Sequence, residues 1–157
     1  MSEPQLQIEQ QLQRYYLVIQ QGVEASIDAL IVDARSLIDD LLNQYGSRWK
    51  ITPTQANNLF NVCLQAVTVQ EVIGYIQYQI GRDKENNVWA LDFGEKLVGD
   101  LQELEHKSKG IVNVALECTC AEGVDDKHEQ TRVWLMLTRQ YVGHLRRYLV
   151  YKRPRES

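Results

Sequence analysis

The chain has 157 residues, 44% of them hydrophobic, which suits one domain with a real core. No apolar run approaches the ~20 residues a membrane span needs, which argues against a membrane protein, and the polar start from Ser2 to Gln11 does not read as a signal peptide, so a cytoplasmic protein is expected. The net charge of −4 is unevenly laid out: residues 1–45 hold seven acids and two bases, residues 46–131 thirteen and eight, and residues 132–157 one acid and seven bases. That asymmetry predicts a local basic patch on an acidic protein, and not a generally basic nucleic-acid binder.

The pattern is helical almost throughout, and the expected fold is an all-α, single-domain bundle of five or six helices spanning 1–157. Residues 5–45 form the long N-terminal segment, read as one helix or two. Apolar residues from Leu12 to Leu42 step by three and four, a helical stripe facing a core or a partner. Gly22 is the expected weak point, since glycine costs ~1 kcal/mol relative to alanine inside a helix. Gly46 is placed to cap the helix C-terminally.

Central helices are expected across 52–106. Thr52-Pro53-Thr54-Gln55 combines a capping box with proline at the first helical position. That helix is expected to reach about Val67. Thr68-Val69-Gln70-Glu71 repeats the box and opens a second helix, expected to end at Gly81. Arg82 to Asn87 reads as a loop and Val88 to Glu105 as a helix, broken at Lys107 to Gly110. Residues 111–119 fit a short helix or a strand equally, and Ala121 to His128 reads as a loop.

A basic last helix is expected over 129–153, ended by Pro154. Arg132, Arg139, Arg146 and Arg153 recur every seventh residue, so they drift only ~20° per step and stand roughly 10 Å apart along one stripe. Arg147 sits beside the stripe, and Lys152 and Arg155 add charge near its end. Val133, Trp134, Leu137, Tyr141, Leu145, Tyr148 and Leu149 form an opposite, apolar face. The stripe is therefore expected on the surface. Its spacing suits phosphates, which position a nucleic acid without reading its sequence. The competing reading is that the stripe docks on the acidic half of this protein or of another copy.

Catalytic patterns are absent: there is no glycine-rich phosphate loop, no H-E-x-x-H and no G-x-S-x-G, so no enzyme is expected. Asp39-Asp40 and Asp125-Asp126 read as solvated pairs. Cys63, Cys118, Cys120 and the three histidines show no zinc spacing, and no metal or cofactor is expected.

Several segments occur in an order that resembles a known family. They are Thr52-Pro53-Thr54-Gln55, then Tyr78-Gln79-Ile80-Gly81-Arg82, then Phe93-Gly94-Glu95-Lys96-Leu97, and finally Arg139-Gln140-Tyr141-Val142 with Leu145, Tyr148, Leu149, Val150, Tyr151 and Lys152. Together they resemble the Csm-type small subunit of type III CRISPR effector complexes, over roughly residues 50–152 with gaps. The resemblance implies a small, non-catalytic helical protein. Several copies stack in a ribonucleoprotein and contact paired guide and target RNA through basic residues. It points to Arg82, Arg132, Arg139, Arg146, Arg147, Lys152 and Arg153 as RNA-binding, with RNA, other effector subunits and further copies of this chain as partners, and no membrane. Three departures stand out: Ala56-Asn57-Asn58 follows the T-x-x-Q motif where the family carries a basic residue, residues 107–128 look inserted, and the acidic N-terminal segment is long. The alternative is a helical interaction or dimerisation module, using the Leu12-to-Leu42 stripe and binding no nucleic acid.

Overall fold

The computed structural model describes residues 2–153; Pro154 and Arg155 lie outside the described residues. Within them the chain forms five helices and no strand: α1 (Glu3–Tyr45), α2 (Pro53–Gln65), α3 (Val69–Arg82), α4 (Gly94–Thr119) and α5 (Asp126–Lys152). A 3₁₀ turn, Gly46–Arg48, follows α1, and an irregular turn, Trp89–Phe93, precedes α4. The expected all-α single bundle is what these elements make.

The 43 residues of α1 extend ~65 Å, against ~40 Å for the 26 and 27 residues of α4 and α5. Its stripe buries Tyr15, Ile19, Val23, Leu30, Ala34, Leu37, Ile38 and Leu41 against α4 and α5. So the stripe named as a dimerisation face lines the protein's own core. The exception is about the first two turns, where Glu3 to Gln10 are exposed.

Gly22 does not interrupt α1. It lets Ile111 of α4 approach so closely that a Cβ there would stand 2.9 Å from Ile111 Cγ2. Tertiary packing outweighs the propensity deficit. The same argument corrects the reading of 107–119: α4 runs unbroken to Thr119, because Ser108, Val112 and Ala115 are buried on one face. Val88 to Phe93, expected to be helical, is instead the irregular turn. Asp83 accepts the Val88 and Ala90 amides at 3.0 and 2.9 Å, and Asp92 has a φ of 63°.

The Thr52 capping box is complete, with Gln55 N–H donating to Thr52 Oγ1 at 3.2 Å and Gln55 Oε1 accepting from Thr52 N at 2.9 Å. The second box does not form. Glu71 reaches back to the Val67 amide (3.1 Å), while the Thr68 side chain caps nothing. Gly46 ends α1 at a φ of 54°, as its glycine allows. Helix α5 starts three residues earlier than expected, because Asp125 accepts the His128 amide at 3.2 Å and acts as N-cap.

Helix α5 is the axis of the bundle and packs on all four other helices. Its buried residues include Val133, Trp134, Leu135, Leu137, Thr138, Tyr141, Val142, Leu145 and Leu149, which lie around most of its circumference. Trp134 Nε1 donates to the Leu101 carbonyl at 2.7 Å and Tyr141 to Asp100 at 2.5 Å, fixing α5 against α4.

Candidate nucleic-acid interface

The position of α5 decides what its arginines do. The expected outer stripe lies at the edge of the buried faces of α5, and each of its four members is half-buried with a partner in the same chain. Arg132 grips Glu129 with two donors, Nε to Oε2 at 2.8 Å and Nη2 to Oε1 at 2.9 Å. Glu129 is itself only 5% exposed and accepts from the Tyr15 hydroxyl at 2.8 Å. Burial works to raise the Glu129 carboxyl, but the Arg132 guanidinium and the Tyr15 hydroxyl outweigh it and hold it below the usual range.

Arg139 closes the C-terminus of α2. It donates to the carbonyls of Cys63 (2.9 Å), Leu64 (3.3 Å) and Ala66 (3.1 Å), groups a helix end leaves without intrahelical donors. Arg146 donates to Asn57 Oδ1 at 3.1 Å and stacks 4.7 Å from the Phe60 ring centre, while its buried Nε has no partner. Arg153 donates to the Gly46 carbonyl at 2.8 Å and lies 5.6 Å over Trp49. Arg139, Arg146 and Arg153 thus tack α5 to α2 and the turn after α1, while Arg132 holds the Glu129 carboxylate that accepts from Tyr15 of α1. The expectation of a solvent-facing stripe is corrected, and the physical reason is that α5 is buried on more than one face.

The other cations named from sequence fare differently. Arg82 is exposed at the end of α3, 5.6 Å over the Tyr78 ring, beside a separate polar depression lined by Gln55, Asn58 and Gln79. Lys152 pairs with Asp39 at 3.5 Å. Arg147 is exposed, and among the described residues no carboxylate forms a salt bridge with it.

Arg147 borders a cleft of about 490 Å³ between α1 and α5, lined by Ile31, Arg35, His144, Arg147, Tyr148 and Tyr151. Helix geometry assembles it. Positions 144, 147, 148 and 151 share one face of α5, and 31 and 35 share one face of α1. Arg35 is likewise exposed and without a salt bridge among the described residues, its guanidinium 5.4 Å from the Tyr148 ring centre. Tyr148 is held in place, its hydroxyl donating to the Asp39 carboxylate with oxygens at 2.7 and 2.9 Å. The Tyr151 ring lies 6.0 Å from it, tilted by 32°. His144 carries a buried Nε2 with no hydrogen-bond partner. Burial first, then the Arg147 and Arg35 charges, push its protonation below the ordinary histidine range.

Two guanidiniums that form no salt bridge among the described residues, an imidazole and two phenol rings are chemically suited to an anion that carries a ring. Of these residues, sequence reasoning named only Arg147 as a site. Arg35 carried one signal, being one of two bases in the acidic first 45 residues. Tyr151 and His144 carried the i, i+3, i+4, i+7 spacing around Arg147, which the heptad arginines overshadowed.

The paired acids also find structural work: Asp39 anchors Tyr148 and Asp125 caps α5. Cys118 and Cys120 are exposed free thiols, and no group of three or more His, Cys, Asp or Glu suited to a metal ion occurs among the described residues. No helix among the described residues is long and apolar enough to cross a membrane.

Among the described residues, fold and cleft define a five-helix bundle with an arginine- and tyrosine-lined cleft between α1 and α5. No protein-family model matches the chain, and neither does any curated protein or solved structure.

Proposed function

We propose that this protein is a non-enzymatic RNA-backbone-binding subunit of a larger ribonucleoprotein, acting in the cytoplasm, and that the α1/α5 cleft is its contact. The observation that carries this reading is the convergence of Arg35 and Arg147 on His144, with no carboxylate bridged to either guanidinium among the described residues. Arginine is suited to bidentate contact with phosphate oxygens. An acidic remainder keeps the attraction local, so one copy binds weakly and a row of copies gains by avidity. The motif order from Thr52 to Lys152, resembling the small subunit of type III CRISPR effectors, supports a CRISPR-type assembly as the setting.

The test is RNA binding by the intact chain at low and moderate salt, against the double variant Arg35→Glu/Arg147→Glu. Binding to the parent chain at low salt that disappears in the variant, with melting unchanged, is the expected outcome. Equal binding by both proteins refutes the cleft as the contact.

One observation favours a second reading, an interaction module without nucleic acid. The first turns of α1 project past the bundle with Leu6 and Ile8 exposed, at 46% and 42%. Light scattering of the intact chain and of a form lacking residues 2–10 separates the two: an oligomer lost on truncation, with no RNA binding in either form, supports the module.

A further inference from the structure

We propose that the α1/α5 cleft is a subsite for one unpaired nucleotide of a single strand, its phosphate held by Arg35 and Arg147 and its base laid on the Tyr151 ring. The proposal rests on the RNA-binding reading and adds to it which form of RNA the cleft accepts.

The first argument is size. A cleft of about 490 Å³ falls in the range of pockets that enclose a small organic ligand, and one nucleotide is such a unit. A paired helix presents a continuous outer wall of phosphates and sugars, and its bases are already stacked on each other. Only an unpaired base has a face to offer an aromatic side chain.

The two tyrosines are unequal. Tyr148 is tied down by Asp39 at its hydroxyl, and its ring has the Arg35 and Lys152 cations near it, each 5.4 Å from the centre. It is a fixed part of the wall. Tyr151 is 76% exposed, one helical turn nearer the end of α5, and its ring is tilted only 32° from that of Tyr148. A large aromatic ring left in water has no part in the core. It is oriented by its neighbour and open for stacking.

The anion end is equally specific. Arg147 lies one turn before Tyr151 on the same face of α5, and Arg35 approaches from α1. His144, one turn earlier still, lines the same cleft, and its buried Nε2 leaves the two guanidiniums as the anion contacts. Phosphate site and ring are thus one to two helical turns apart, about 5–10 Å, a separation that a single nucleotide bridges.

The experiment is fluorescence anisotropy on the full chain with four probes: a short single-stranded RNA, its blunt duplex, the same strand with abasic positions, and a nucleoside monophosphate. The intact single strand is expected to bind tightest. Tyr151→Ala should weaken it roughly five- to a hundredfold, the range that loss of one base–aromatic stack gives, and leave abasic-strand and duplex binding unchanged. Tyr151→Phe should restore the loss, because the ring and not the hydroxyl is used. Unchanged melting of Tyr151→Ala excludes a folding artefact.

The proposal is overturned if Tyr151→Ala binds the strand as the parent does, or if the duplex binds as tightly as the strand. In either case loss of binding in Arg35→Glu/Arg147→Glu leaves the backbone reading standing. If the double variant binds every RNA as the parent does, or the parent binds none, both fall. A nucleoside monophosphate that binds as tightly as the strand makes the cleft a small-molecule site and overturns the strand proposal.

Discussion

At the scale of single residues, the arginines sort by what they touch and not by their spacing. Arg139 satisfies three carbonyls at the end of α2. Arg139→Ala leaves them without donors where α2 meets α5. Hydrogen bonds from a charged group contribute about 1.5–3 kcal/mol, so a loss of about that size is expected in urea unfolding. Arg139→Lys should recover little, since one ammonium cannot span three acceptors with the guanidinium's planar fork. Glu129 gives a pH signature. Its carboxyl sits below the usual range when folded, so its contribution is present above the unfolded-state value and is lost as pH falls through the folded one. Glu129→Gln should therefore lower stability at neutral pH and flatten the acid limb of a stability-against-pH curve. A variant whose acid limb stays as steep as the parent's refutes the role given to Glu129.

At the scale of elements, contacts between helices override local preference wherever the two conflict. Gly22 and Gly110 both carry the propensity cost of glycine, yet α1 and α4 run straight through them. At Gly22 the reason is steric, because Ile111 occupies the space a methyl group needs. Gly22→Ala gains the helix propensity of alanine and still should destabilise, by about 1–3 kcal/mol of overpacking. Chemical denaturation checks the sign, and Ile111→Ala in the same chain should remove most of the penalty. Gly22→Ala that stabilises in the parent background shows instead that Ile111 yields freely. These cases mark what was legible in the sequence. Helix content, the Thr52 box and the α1 stripe were, because periodicity and capping are local. The continuity of α4, the Trp89–Phe93 turn and the burial of the α5 stripe depend on which helix lies opposite. Seven-residue spacing tells which side chains share a line and not which way that line faces. Arg147 was legible as a cation, but its partners Arg35 and Tyr151 become visible only once α1 lies beside α5.

At the scale of the whole molecule, the separation of charge takes on a different meaning. The +6 of residues 132–157 is a formal sum, and four of its seven bases, Arg132, Arg139, Arg146 and Arg153, are engaged in holding the bundle together. The contact proposed for a polyanion is a small cleft on an acidic body, and salt dependence tests its size. Each phosphate neutralised on a single strand contributes a slope of about −0.7 in log K against log salt. One phosphate held by both arginines of the cleft predicts a slope of roughly −0.7, whereas a ladder of four outward arginines on four phosphates would give roughly −2.8. Titration of the intact chain with a single-stranded RNA at several salt concentrations distinguishes the two. The shallow slope is expected, and it should fall toward zero in Arg35→Glu/Arg147→Glu. A slope near the steeper value in the parent chain would return the ladder to the surface and remove the cleft from its central place.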